Sequence, residues 1–307
     1  MARKSKTNFN LDKLRICFKQ PNGLFERLQT SPQDLIKVGD NISLFLIRET
    51  SEGEEPTNLM ANVILHDEGD FLFGHFVFNN SKKYEGLCWL TLENRAFYKQ
   101  YTGVGVYSFV YYLNALAYNL ELLYNNITEI EVFADTTNNI GRKIRKMIKD
   151  YSNFEMILNG KKLTDPFRKI ENYKECFGRS RAKLIPSPTL YFEQVKPSAP
   201  LMRVYNKSQE ISDNDNKKDY IEEWNNFGKT PIHRAEIRLK NESIKQAWEK
   251  FTEHFPDDEP MKQPDGITQM LDDEAFLAWL WREYTNRLLT FNTLSGEKIT
   301  LHDLATA

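Results

Sequence analysis

The chain has 307 residues, 40% hydrophobic content and a formal net charge of −2, which excludes a disordered chain and predicts a globular protein with a sizeable core. A net charge near zero gives no general attraction to nucleic acid, so nucleic-acid binding would need local basic patches. Three cysteines without metal-binding spacing, no apolar signal segment and no membrane-length apolar run predict a cytoplasmic protein with no membrane partner.

The first hundred residues predict a β-rich region. Short apolar or alternating runs bounded by turn residues predict strands at 14–18, 41–49 and 84–93. Between them, residues 63–80 predict a hairpin that turns at an Asp-Glu-Gly. These short elements with hairpin-length connections indicate a largely antiparallel sheet.

A long helix and an acidic strand follow. Apolar side chains recur at helical spacing over residues 107–124, which predicts a helix buried against the sheet. Residues 128–135 alternate, so Glu131 and Asp135 share one strand face. Carboxylates four residues apart on a strand are about 13 Å apart along its axis, so they could share one ion only with help from sheet twist or a bulge. Either of them could share an ion more easily with Glu236 on a neighbouring strand.

Two basic segments come next. Residues 139–150 predict a short helix with a cluster of cations: Arg142, Lys143, Arg145, Lys146 and Lys149. Such a cluster could contact a phosphate backbone, although a solvated helix face is an open alternative. Residues 168–183 combine cations with Tyr173 and Phe177, a mixture that suits single-stranded DNA as well as an ordinary surface loop.

Two alternating strands, 201–207 and 232–240, flank a polar loop. Arg203, Tyr205 and Lys207 share one face of the first strand, and Arg234 and Glu236 share one face of the second. The opposite faces are apolar and therefore predict packing on the core. The polar face would present a tyrosine among cations beside a carboxylate, which could hold a phosphodiester.

The chain changes character after Lys240. Residues 242–255 predict an amphipathic helix, and an acidic, proline-rich linker follows it. Asp272 is a candidate N-cap for a second helix that ends near residue 289. We therefore predict two domains, a DNA-binding and nicking domain at 1–240 and a helical C-terminal appendage at 241–307.

Four segments in this order, IEVFADTTN, TLYFEQ, MRVYNKSQE and HRAEIRLKN, resemble the replication initiation factor family. That family comprises rolling-circle initiators of plasmids and filamentous phages, and related relaxases of conjugative elements. The matching positions are Glu131 and Asp135 in the acidic strand, Tyr191, then Tyr205 with Lys207 and Glu210, then Arg234 with Glu236. The chain departs from the family where Asn206 replaces an acid, where Glu131 replaces an aspartate, and where no Gly-Ser follows Tyr191.

The resemblance implies an α+β fold and a DNA nicking-closing endonuclease. Its nucleophile would be Tyr205, with Tyr191 as the runner-up, and Lys207 or Arg203 would support ionisation of Tyr205 and the charge on phosphorus. Mg²⁺ or Mn²⁺ would be bound by Glu131, Asp135 and Glu236. The predicted DNA contacts are Arg142, Lys143, Arg145, Lys146, Arg203 and Arg234.

The implied partners are origin DNA in single-stranded or hairpin form and a host helicase, and a homodimer is an open alternative. The chain has no Walker A motif, H-x-H or H-E-x-x-H, and no H-x-x-R element precedes its tyrosine. These absences argue against a helicase, a histidine-dependent nickase, a zinc protease and a tyrosine recombinase. The competing hypothesis is a non-catalytic DNA-binding protein that regulates replication or transfer of a plasmid or mobile element.

Overall fold

The protein has an α+β fold, as predicted. The computed structural model describes residues 6–47, 58–67, 69–101, 107–163, 175–177, 180–183, 189–194, 198–213, 218–254, 263 and 265–307. Within these ranges, no helix has the length and apolarity that crossing a bilayer requires.

Strands occur along most of the chain. They are β1 (Thr7–Lys19), β2 (Leu35–Lys37), β3 (Ile42–Ile47), β4 (Asn58–Leu65), β5 (Phe71–Asn79), β6 (Leu87–Leu92), β7 (Leu123–Thr136), β8 (Phe154–Leu158), β9 (Lys161–Lys162), β10 (Glu175–Phe177), β11 (Ser180–Lys183), β12 (Leu190–Gln194), β13 (Leu201–Asn206), β14 (His233–Lys240), β15 (Leu289–Thr293) and β16 (Lys298–Thr300).

Helices are interspersed with these strands. They are α1 (Leu24–Gln29), α2 (Phe109–Asn119), α3 (Ile140–Lys149), α4 (Lys207–Asp213), α5 (Asp219–Asn225), α6 (Asn241–Thr252), α7 (Gly266–Gln269), α8 (Glu274–Leu288) and α9 (Leu301–Thr306), with a 3₁₀ helix at Asn94–Tyr101.

The chain divides into two compact units. The first comprises Met1–Leu11, Glu131–Ala247 and Asp273–Ala307, and the second comprises Asp12–Ile130 and Trp248–Asp272. Both β1 and β7 contribute residues to each unit. The predicted domain boundary after residue 240 does not coincide with this division.

The first unit contains the three strands on which the predicted site depends. They are neighbours in one sheet, in the order β13, β14, β7. On the other side of β13, the order continues with β12, β11 and β10. On the apolar face, Met202, Val204, Ala235 and Ile237 are all fully buried. Helix α8 covers part of this sheet, where the indole N–H of Trp281 donates to the carbonyl oxygen of Ala235 at 2.8 Å. The predicted alternation of the site strands is therefore confirmed.

A smaller sheet in the first unit connects distant parts of the chain. Its strand order is β16, β15, β8, β9, and the described pairs are antiparallel. Strand β15 pairs with β8 through Phe291 opposite Met156, two buried apolar residues. The last 35 residues of the chain thus pack within the same unit as residues 131–247.

The second unit contains the β-rich N-terminal half. Strands β1, β6, β5, β4, β3 and β2 are neighbours in that order, and the described pairs are antiparallel. Gly74 is needed on β5 because a Cβ there would lie 2.6 Å from the carbonyl oxygen of Thr91. The predicted early strands and hairpin are confirmed.

Three predictions of local structure were wrong. The helix predicted to reach residue 124 ends at Asn119, because Glu121 takes a left-handed conformation (φ 55°) and β7 starts at Leu123. Asp273, and not Asp272, caps α8, since its side chain accepts from the Phe276 N–H at 3.0 Å. The polar loop after Asn206 contains helices α4 and α5.

Candidate active site

The register of β13 and β14 places the predicted site residues on one sheet face. Arg203 lies opposite Glu236, and Tyr205 lies opposite Arg234. On the other side of β13, Tyr191 of β12 also lies opposite Arg203. Directly paired residues share a face of the sheet, so both candidate tyrosines lie on the face that carries Arg203 and Glu236.

Tyr205, Glu236, Arg203 and Glu131 form one connected group. The Tyr205 hydroxyl donates to Oε2 of Glu236 at 2.8 Å. Arg203 forms an ion pair with Glu236 through Nε and a second one with Glu131 through Nη2, the latter at 2.9 Å. The side chains of Glu131 and Glu236 are 10% and 2% exposed, whereas Arg203 is 33% exposed. The group therefore joins a half-buried phenol to a buried carboxylate, beside a guanidinium that solvent can reach.

Lys207 does not continue the strand face on which it was predicted. It starts α4, its side chain is 2% exposed, and its ammonium lies 2.5 Å from Oε2 of Glu210. The same ammonium lies 5.7 Å from the centroid of the Tyr205 ring, within the range of a cation–π contact. Lys207 thus stays beside the tyrosine because the helix turns its side chain inward.

Asp135 belongs to a separate buried ion pair. Arg234 donates to its two carboxylate oxygens at 2.7 Å and 2.8 Å, and both side chains are 0% exposed. Asn225 of α5 donates a further hydrogen bond to Asp135 at 2.8 Å, and the Arg234 guanidinium lies 3.5 Å from the centroid of the Phe133 ring. Arg234, which was predicted to contact DNA, is directed into this pair instead.

The three predicted metal ligands are not brought together as one set. Glu131 and Glu236 meet at Arg203, while the oxygens of Asp135 bind Arg234 and Asn225. Across the described ranges, no group of three His, Cys, Asp or Glu residues is arranged to hold a metal ion. The geometry thus does not fit a three-carboxylate site, and it leaves two carboxylates, Glu131 and Glu236, that are both paired with Arg203.

The basic helix forms at the predicted residues. The side chain of Asn139 caps α3 by accepting from the Arg142 N–H, and Ile140, Ile144 and Ile148 are buried. A Cβ placed at Gly141 would lie 3.9 Å from Cγ1 of Val204, which belongs to the apolar face of β13. Helix α3 therefore packs on the sheet face opposite Tyr205, although it was predicted to lie beside the site.

The cations of α3 divide into two groups. Arg142, Lys146 and Lys149 are exposed along a shallow cleft, which Arg145 also lines. Lys143 instead donates to the carbonyl oxygen of Leu304 at 3.1 Å. Partial burial lowers the pKa of both Lys143 and Arg145 from their ordinary values.

The predicted single-stranded DNA segment at 168–183 lies largely outside the described residues. Within it, the described backbone forms β10 and β11, with Cys176 opposite Arg181. Strand β11 pairs with β12 through Lys183 opposite Tyr191. The positions of Lys183, Tyr191, Arg203 and Glu236 thus form one row across four strands.

Two site residues were missed from the sequence because they lie in the supposed polar loop. Trp224 packs edge-on against Phe133, with ring centroids 5.9 Å apart, and Asn225 binds Asp135. The apolar residues Ile221 and Trp224, three positions apart in that loop, are the helical signal that could have identified α5.

No family model matches the sequence, and no curated protein matches it. Among solved structures, the chain is similar to a rolling circle replication initiator protein from Geobacillus stearothermophilus, with 12% sequence identity and a TM-score of 0.42. The match covers 94% of this chain and 87% of that one.

Proposed function

We propose that this chain nicks and rejoins DNA through a phosphotyrosine intermediate, as a rolling-circle replication initiator or a relaxase. The observation that carries the proposal is the hydrogen bond from the Tyr205 hydroxyl to Glu236, whose carboxylate also holds Arg203. A half-buried tyrosine whose hydroxyl already donates a hydrogen bond to a carboxylate has both a nucleophilic oxygen and a proton acceptor in place. The four sequence segments that resemble the replication initiation factor family point to the same chemistry.

In the proposed step, the Tyr205 oxygen attacks a phosphorus atom of a DNA strand as Glu236 accepts the phenolic proton. An O–P bond to the tyrosine forms, the bond from phosphorus to the 3′ oxygen breaks, and that oxygen takes a proton from water as a free 3′ hydroxyl. Glu236 then returns the phenolic proton to the hydroxide that is left, which restores its carboxylate. The phosphotyrosine ester conserves the energy of the broken bond, so a 3′ hydroxyl can reverse the step without ATP. Arg203 is partly exposed beside the phenol and would bind the negative oxygens of the phosphoryl group.

We place Mg²⁺ or Mn²⁺ in this proposal at Glu131 and Glu236 alone. A hard divalent ion takes oxygen ligands and, when bound, would polarise the scissile phosphate. Arg203 now neutralises both carboxylates, so an ion would have to compete with its guanidinium. Calorimetric titration with Mn²⁺ tests this independently of activity, because Glu131→Gln should weaken binding, whereas Glu283→Gln, which removes a carboxylate paired with Arg287 on α8, should leave it unchanged.

DNA is the proposed substrate, and the exposed cations of α3 are proposed to bind its phosphates. The ammonium of Lys143 is bound to a backbone carbonyl oxygen, whereas Arg142 and Lys146 are exposed. Because α3 lies on the sheet face opposite Tyr205, its DNA contacts would be with a part of the substrate away from the scissile bond. Origin DNA, a host helicase and a homodimer remain proposed partners.

The proposal is tested with a supercoiled plasmid that carries the coding sequence of the chain and its flanking DNA. In Mg²⁺ or Mn²⁺, the wild-type protein should relax the plasmid and form a protein–DNA adduct that survives denaturation in detergent. Tyr205→Phe keeps the ring but lacks the attacking oxygen, so it should bind the DNA and form no adduct. Tyr191→Phe is the matched control on the same sheet face, and it should form the adduct normally.

A second function is favoured by two observations. Arg203 satisfies both Glu131 and Glu236, and Asn206 replaces the acid of the family pattern, as expected for a DNA-binding descendant without catalysis. If wild-type protein binds the plasmid yet forms no adduct with either metal, this regulatory function replaces the enzymatic one. An adduct that persists in Tyr205→Phe but not in Tyr191→Phe would instead reverse the roles of the tyrosines.

A further inference from the structure

The second unit contains a cavity of about 270 Å³ that the nicking proposal does not use. It lies where the N-terminal part of α2 approaches the segment between β2 and β3. Its walls include Asp40, Asn41, Asp67, Tyr107, Tyr111 and Tyr112. The volume is slightly below the ~300–1,000 Å³ of sites for drug-sized ligands, and therefore suits one side chain or a comparably small group.

The aromatic wall of the cavity is a pre-formed stack. Tyr107 and Tyr111 stack with ring centroids 4.2 Å apart and planes inclined by 20°, although each side chain is 50% exposed. Tyr112 is buried and stands nearly perpendicular to both, at 6.2 Å from Tyr107 and 5.3 Å from Tyr111. Two large, half-exposed rings held in register offer a flat π surface without further ordering of either side chain.

The polar wall is acidic. Asp67 accepts a hydrogen bond from the hydroxyl of Tyr112, which holds this carboxylate against the aromatic wall. Asp40 is exposed at the rim, and the amides of Asn41 and Asn119 complete the polar lining. Among the described residues that line the cavity, none is a lysine, an arginine or a histidine. An anionic group such as a phosphate would meet two carboxylates there without a cation in the lining to offset them.

We infer that this cavity recognises the guanidinium group of an arginine in a basic segment of a partner protein. A guanidinium is planar and stacks on a tyrosine face, while its N–H groups can bind a carboxylate in a bidentate manner. A lysine ammonium would find the same charge but could not match the flat aromatic surface or the paired acceptors. The site lies in the second unit and does not depend on the proposed nicking activity.

The test uses the full-length protein and fluorescein-labelled peptides of alternating glycine and arginine, with a glycine–lysine peptide of equal length for comparison. Fluorescence anisotropy should show saturable binding of the arginine peptide and weaker binding of the lysine peptide. Tyr111→Leu should weaken the arginine peptide about two- to five-fold, the loss expected for one exposed cation–π contact. Asp40→Asn should weaken it by a similar factor, and the loss should shrink as salt is added.

A matched control lies on the same helix. Tyr118 is 84% exposed on α2 and does not line the cavity, so Tyr118→Leu should bind the arginine peptide like wild type. Equal binding of the arginine and lysine peptides, or an unchanged affinity in Tyr111→Leu, would overturn the inference. The inference also fails if Tyr111→Leu reduces binding of labelled (dT)15 and leaves peptide binding unchanged, because the cavity would then be a nucleobase site. Thermal unfolding of each variant checks that the fold is intact.

Discussion

Asp135→Asn should destabilise the first unit strongly, because it removes the charge that compensates a fully buried arginine. Asp135 and Arg234 are each 0% exposed and share two hydrogen bonds of 2.7 Å and 2.8 Å. Loss of one partner leaves the Arg234 guanidinium buried without its counter-charge, which costs about 3–5 kcal/mol of unfolding free energy. Phe133 cannot replace the carboxylate, since a ring face offers a cation only about 2 kcal/mol even when desolvated.

Urea unfolding followed by tryptophan fluorescence measures this loss, because Trp224 lies against Phe133 in the same cluster. Arg287→Gln is the matched control. It breaks an ion pair with Glu283 in the same unit, but Arg287 is 48% exposed. That exposed pair should contribute at most about 1 kcal/mol. The reasoning is refuted if Asp135→Asn costs under about 1 kcal/mol, or if its cost appears only in the presence of Mg²⁺, as expected of a metal ligand.

Three further predictions concern the site, the basic helix and pH. Glu236→Gln keeps a hydrogen-bond acceptor for Tyr205 but removes the proton acceptor and one of the two proposed metal ligands. Single-turnover adduct formation should therefore slow by at least about 10²–10⁴-fold with DNA affinity preserved. The double variant Arg142→Ala, Lys146→Ala should bind the plasmid more weakly. In filter binding, the slope of log affinity against log salt should fall by about 0.9 for each duplex phosphate that the variant no longer binds. Burial lowers the pKa of His233 below 6.5. Neutral, buried His233 therefore contributes its full stability above pH 6.5. This contribution declines as the pH falls towards the folded-state pKa, because the unfolded chain binds the proton first. His233→Asn should therefore reduce the fall in unfolding free energy between about pH 6.5 and pH 5, measured by urea titration.

The composition of the site face could be predicted from the sequence because strand geometry is local. Side chains two residues apart on a strand share a face whatever the strand pairs with, so Arg203 and Tyr205 had to point the same way. Alternation in the second strand placed Arg234 and Glu236 on one face by the same rule. The helix α3 was predictable for an equally local reason, since its apolar residues recur at helical spacing after an asparagine cap.

The pairing of charges within that face was decided only by the tertiary structure. Asp135 and Arg234 are 99 positions apart, and whether Asp135 meets an arginine or a metal depends on strand order and register, which no local pattern specifies. The same holds for Arg203, which joins Glu131 and Glu236 from two other strands. Burial then determines which partner a carboxylate binds, because a buried charge needs a counter-charge. Arg234 lies within reach of Asp135, so it pairs with the carboxylate that the sequence alone had left available to a metal ion.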